Sequence, residues 1–252
     1  MWKDDDKLFV ETHNFHAMLE KVRQQPFVIT VGVAGSGKSA SVRHIALLLQ
    51  EKDGYEIVPT KDIKDIETYC DPRNPQVFVI DDVLGVFGFD MKELEKLTMY
   101  KDRLNEPTMP ETKVLMTCRE VVFKHEAFSG SILSNKKHLV QLHSEENALN
   151  DQDKYDLFAK YNIDKDLLSA DTLSKISKSF PYLCKLFSRK EELKHYGPQF
   201  FISPVPCILE LLDNMKTRNK VHYASLVLLM TNQNSLSEKK FNNETTKIGI
   251  QR

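Results

Sequence analysis

Four short stretches of the chain are apolar almost throughout, and they set its architecture. Residues 27–31 read FVITV, 77–80 read VFVI, 113–118 read KVLMTC and 138–142 read HLVQL. A short apolar run without alternation predicts a strand buried on both faces. A further short strand is predicted over 55–58, after Gly54. Between these runs the apolar residues recur every three or four positions, as in Ser41-Val-Arg-His-Ile-Ala-Leu-Leu-Leu-Gln50. That spacing predicts helices over 38–51, 61–69, 91–104 and near 120–127. Residues 1–25 read as an amphipathic helical lead-in after Leu8-Phe9-Val10. Asp71-Pro72-Arg73-Asn74-Pro75 predicts a turn, and 85–90 a loop. Strands alternating with helices predict an α/β fold, with a parallel sheet covered by helices on both faces.

Past about residue 145 the strand pattern stops. Helical spacing then covers 151–161, 164–169, 171–178, 182–195, 205–216 and 221–231, with Pro198, Pro204 and Pro206 marking a boundary. The polar end, 241–252, predicts a frayed terminus or the point where a longer protein was cut. No internal repeat or low-complexity tract interrupts the chain.

The first strand runs straight into Gly32-x-x-x-x-Gly37-Lys38-Ser39. Strand, glycine-rich loop, Lys, Ser and helix together make a P-loop. A triphosphate needs many inward N–H donors and a cation. Gly32, Gly35 and Gly37 let the backbone curl into a nest of N–H groups, so Val33, Ala34, Ser36 and Ala40 join the cradle. The next helix points its positive end at the phosphates. Lys38 reaches the β/γ-phosphates and Ser39 is placed to ligate Mg²⁺.

Two more strand ends carry matching chemistry. The strand 77–80 delivers Asp81 and Asp82 to the carboxyl edge of the sheet, where ligands of such sheets bind. Asp81 is expected to hold Mg²⁺, and Asp82 to orient or deprotonate an attacking water. The strand 113–118 ends in Arg119. If that strand lies between the other two, Arg119 approaches the γ-phosphate and reports its presence. A guanine-reading Asn-Lys-x-Asp run is missing: Asn135-Lys136-Lys137-His138 has no carboxylate at the fourth place. ATP and ADP are therefore the expected ligands.

Composition narrows the setting. The chain has 252 residues, 41% hydrophobic and 28% charged, with a net charge of -1, so no basic field draws it to nucleic acid or an anionic membrane. Cys70, Cys118, Cys184 and Cys207 form no closely spaced pair, and the start lacks a signal-peptide core. Both fit a reducing, cytoplasmic setting with no membrane span. His13 and His16 fall three apart, but no HExxH or Cys/His cluster exists, so no structural metal is expected.

The P-loop, Asp81-Asp82, the Thr-Cys-Arg119 strand end and the helical tail resemble a STAND NTPase, a signal-transduction ATPase with numerous domains. The likeness is to the third subclass of the novel STAND branch. It also rests on Trp2…Leu8-Phe9-Val10-Glu11-Thr12, Gly54-Tyr-Glu-Ile-Val58, Phe180-Pro-Tyr-Leu-Cys-Lys-Leu-Phe187 and the helix from Tyr223. The resemblance implies an ATPase core over 1–145, a helical lid over 146–200 and the start of a winged-helix domain over 201–252. It implies that Val10 lines the adenine site, and that Pro181 matches the proline of a Gly-x-Pro element near the base or sugar. Here Ser179 replaces that glycine. A serine at that place also suits a helix cap, and Pro181 a first helical turn. The resemblance further implies an ATP/ADP switch that hydrolyses slowly, opens and self-associates. Its setting is innate immunity or cell death, with effector and sensor domains outside this stretch. Other readings stay open: an AAA+-type motor with a neighbour's arginine finger, or a P-loop small-molecule kinase. The kinase lacks support from an Arg-rich lid motif. A non-catalytic or DNA-binding winged-helix scaffold is disfavoured by the near-neutral charge and by an intact Lys38 and Asp82.

Overall fold

The computed structural model describes residues 2–85, 88–100, 104, 112–125 and 135–231. It divides into two compact units, 1–189 and 190–252. Five parallel strands form the sheet of the first unit: β1 (Phe27–Gly32), β2 (Glu56–Thr60), β3 (Gln76–Ile80), β4 (Thr112–Arg119) and β5 (Leu139–Gln141). Their order is β2-β3-β4-β1-β5.

The apolar runs are continuous because each strand feeds two cores at once. Phe27, Ile29 and Val31 of β1 join Phe78 and Ile80 of β3 and Val114, Met116 and Cys118 of β4 on one face. Val28, Val77, Val79 and Leu115 point to the other face. Successive side chains alternate across a strand, so covering both faces demands apolar residues at every position. The first face is roofed by α4 (Asp65–Tyr69) and α5 (Met91–Met99) through Ile66, Leu94 and Leu97. The second is roofed by α2 (Phe15–Gln24) and α3 (Lys38–Asp53) through Phe15, Leu19, Val42, Ile45 and Leu49. Helix α3 ends where Gly54 takes a left-handed φ of 75° and the Tyr55 N–H returns to the Leu49 carbonyl.

Several expected elements are shorter or split. The lead-in holds a short helix, α1 (Trp2–Asp6), and the amphipathic helix begins only at Phe15. After β4 comes α6 (Glu120–Phe123). The helical part of the first unit contains α7 (Asp151–Lys160), α8 (Ala170–Ser174) and α9 (Phe180–Arg189). The expected helix over 164–169 is a single 3₁₀ turn, Lys165–Leu167, pinned by the Asp164 side chain accepting the Asp166 N–H. That local bond competes with a longer helix. The expected helix over 182–195 breaks at Lys190, which is extended (φ -122°, ψ 103°). Residues 86–87, 101–103 and 126–127, which fall in the expected loop and helices, and the terminus 241–252 lie outside the described residues.

The second unit is helical where described: α10 (Glu191–Lys194), α11 (Pro198–Ile202), α12 (Pro204–Arg218) and α13 (Lys220–Thr231). Proline opens both α11 and α12, where its missing N–H costs nothing. Leu193, Phe200, Phe201 and Cys207 are buried in this unit.

Candidate functional site

The strand order places three chemically loaded ends side by side. β4 lies between β3 and β1, so Arg119 sits opposite Gly32 in register, with Asp81 and Asp82 on the other side.

The loop after β1 is built largely from backbone. Gly35 (φ 79°) and Gly37 (φ 96°) both occupy the left-handed region. A Cβ on Gly32 would lie 2.6 Å from Ser36 Oγ. The Val33 carbonyl is the loop's internal anchor: it accepts from Lys38 Nζ and from Ser36 Oγ, each at 2.9 Å. Lys38 is only 7% exposed. Burial pushes its ammonium below the usual lysine value, partly offset by the charge of Asp82. The Val33 N–H donates to His143 Nε2 at 3.3 Å, from just past β5. Burial, with Lys178 nearby, lowers the His143 value and keeps the imidazole an acceptor.

The β3–β4 edge is instead built from side chains. Thr117 is fully buried. Its hydroxyl accepts the Asp82 N–H at 2.8 Å and donates to Asp81 Oδ1 at 3.0 Å. One threonine thus fixes both acids. Asp82 has φ 50°, a left-handed backbone that costs a non-glycine residue about 1–2 kcal/mol. That turn sends the two carboxylates to different partners. Asp82 pairs with Arg119 at 3.1 Å, and Asp81 pairs with Arg43 from α3.

Helix α9 begins directly against the loop. The Ser179 hydroxyl donates to the Ala34 carbonyl at 2.8 Å, and the Tyr182 N–H donates to the Gly35 carbonyl at 3.2 Å. A Cβ on Gly35 would come within 2.8 Å of the Tyr182 Cβ, so glycine is required there by both φ and space. A cavity of about 310 Å³ opens beside this contact. Its polar wall includes Ser36, Gly37, Lys38, Ser39 and Ala40, and its apolar wall includes Phe9, Val10, Leu157, Tyr161 and Pro181. Volume and lining fit a small ligand with a charged and an apolar end. Val10, Pro181 and the loop thus share one cavity, while Asp81, Asp82 and Arg119 lie outside its lining. Across that cavity Asp5 of α1 pairs with Lys185 of α9 at 3.1 Å.

Among the described residues no cluster of three or more His, Cys, Asp or Glu could hold a metal. Mg²⁺ takes one or two protein oxygens and completes its shell with phosphates and water. The Ser39 hydroxyl and the Asp81 carboxylate are hard oxygen donors of the right type. The carboxylate already attracts a cation, the Arg43 guanidinium. Cys118, buried and near Asp82, has its thiol pushed up to about 12 and is no nucleophile at neutral pH. Among the described residues no helix is long and apolar enough to cross a membrane.

Sequence reasoning passed over Thr117, Arg43 and His143. Thr117 is signalled only by being a polar residue inside an apolar strand. Arg43 lies one helical turn after Ser39, on the same helix face. Nothing in the spacing marks His143.

A model of the novel STAND NTPase 3 family matches residues 9–163. The chain belongs to that family. This STAND NTPase is a nucleotide-binding protein of the P-loop class. No curated protein matches it. Among solved structures it is similar to AMPPCP-bound DnaA from Aquifex aeolicus, at 13% identity over 86% of this chain and 73% of that one, with a TM-score of 0.41. It is similar to a chain of the HORMA:CdnC:Trip13 complex from E. coli MS115-1, at 14% identity over 84% and 81%, with a TM-score of 0.41. It is also similar to the Pif1 helicase from Candida albicans, at 16% identity over 63% of this chain, with a TM-score of 0.35. There the STAND chain spans 46% of the helicase chain. These likenesses carry nothing about activity.

Proposed function

We propose that this chain is the nucleotide-operated module of a signalling switch. It binds ATP or ADP with Mg²⁺, hydrolyses ATP slowly, and couples exchange to opening and self-association. The observation that carries this reading is the contact of α9 with the phosphate loop through Ser179 and Tyr182. A helix that hydrogen-bonds the loop backbone senses whatever fills the loop. Nucleotide shifts such an equilibrium only if the two states bind it unequally.

The roles follow from position. The loop 32–40 cradles the phosphates, with Lys38 on the β/γ pair. Ser39 and Asp81 hold Mg²⁺, which neutralises charge on the phosphate oxygens when bound. Asp82 orients the attacking water once Arg119 turns from it to the γ-phosphate. Val10 and Pro181 flank the base. The division of parts is a core over 1–145, a lid over 146–200 and the opening of a winged helix over 201–252. The family likeness favours innate-immune or cell-death signalling in the cytoplasm, with effector and sensor domains elsewhere.

The first test is to denature freshly purified protein and identify the released nucleotide by chromatography. Near one ADP per chain is expected. An empty site with weak, exchangeable ATP binding would argue for a motor or a kinase. Asp82→Asn is expected to keep ATP binding and slow hydrolysis about 100-fold. Unchanged turnover would remove Asp82 as the water-orienting group.

A further inference from the structure

Arg43 leaves α3 one turn beyond Ser39, and its Nη2 donates to Asp81 Oδ2. The other Asp81 oxygen accepts from Thr117. Both carboxylate oxygens are therefore engaged, one of them by a cation. The guanidinium touches a second group at the same time: its central carbon lies 5.2 Å from the centre of the Trp2 ring. Its Nε is buried without a partner, so one of its donors is unspent at Asp81. A guanidinium and a divalent ion cannot share one carboxylate oxygen without strong like-charge repulsion.

We propose that Arg43 is a positioning residue that latches Asp81, and that Mg²⁺ with nucleotide must displace it from Asp81, leaving it on Trp2 alone. This rests on the reading of Asp81 as a Mg²⁺ ligand. The latch ties metal affinity to helix α1. The cation that guards the metal ligand is stacked on that helix, so moving α1 changes how readily Asp81 is released. Trp2 is the single tryptophan of the chain, so the exchange has a built-in optical reporter.

The experiment titrates Mg²⁺ into the full chain saturated with ADP, read by calorimetry and by tryptophan emission. In the parent protein Mg²⁺ is expected to shift Trp2 emission as the Arg43 guanidinium leaves Asp81 and settles differently over the ring. Arg43→Gln is expected to lower the Mg²⁺ half-saturation about 2- to 5-fold, the scale of a partly exposed ion pair, and to abolish the emission change. Arg43→Lys, a point charge without the planar fork, falls between, and carries the test if the glutamine variant does not fold. Asp81→Asn is expected to weaken Mg²⁺ binding. If Asp81→Asn weakens Mg²⁺ but neither Arg43 variant tightens it, the latch is overturned and the metal reading survives. If Asp81→Asn leaves Mg²⁺ affinity unchanged, the metal reading falls and the latch falls with it.

Discussion

The phosphate loop and the β3–β4 edge lie at the same end of neighbouring strands and are made on opposite principles. The loop is backbone folded on itself: Val33 anchors Ser36 and Lys38, and glycines supply the left-handed turns. Its own bonds hold its shape, with Lys38 resting on the Val33 carbonyl. The edge is side chains held in ion pairs, Asp81 with Arg43 and Asp82 with Arg119. Its charged groups are occupied with one another. On the reading proposed above, the first half binds phosphate and the second regulates chemistry. That division suits a switch better than a fast motor.

The comparison can be broken most severely on the loop side. Lys38→Ala is expected to weaken ATP and ADP about 100-fold or more, because the buried ammonium supplies charge-assisted bonds. Equilibrium dialysis with either nucleotide checks this, and unchanged affinity would dissolve the assignment. Gly35→Ala is expected to cost about 2–3 kcal/mol of stability. The cost combines a left-handed alanine with a Cβ pressed on Tyr182. Chemical denaturation measures it, and a neutral result would mean that α9 does not pack on the loop as described.

The edge side gives smaller, more discriminating effects. Arg119→Ala is expected to weaken ATP about 10-fold and ADP by no more than about 2-fold. Equal losses would show that Arg119 does not read the γ-phosphate. The smallest effect concerns His143, whose value is lowered in the fold from its ordinary 6.5. The unfolded chain takes up its proton first as pH falls. The contribution of His143 is therefore fully present above about pH 6.5 and is lost as pH drops toward the lower folded value. His143→Gln keeps an acceptor for Val33 but removes the titration. Its Tm should fall less steeply than the parent's between pH 7 and 5, and parallel curves would exclude the effect.

Much of the fold was legible because burial on two faces leaves a plain mark. The runs at 27–31 and 77–80 could be little else than central strands. The helical segment was less legible. At Asp164 and Lys190 local choices end helices that the apolar spacing alone would continue. In the candidate site the motif residues were readable because their chemistry needs fixed spacing. Thr117, Arg43 and His143 were not, since their partners come from other elements and only the strand order brings them near.

The grip of α9 on the loop has a consequence in the orientation of single peptide planes. In a trans peptide the carbonyl and the following N–H point to opposite sides. Ser179 and Tyr182 draw the Ala34 and Gly35 carbonyls outward. The Gly35 amide is thereby turned to the opposite side, while the Ser36 N–H is spent on the Val33 carbonyl at 3.3 Å. Loss of the Ser179 bond would free the Ala34–Gly35 plane to rotate and take its donor with it. Movement of the helix would then reach the loop through a single peptide unit and need no longer lever.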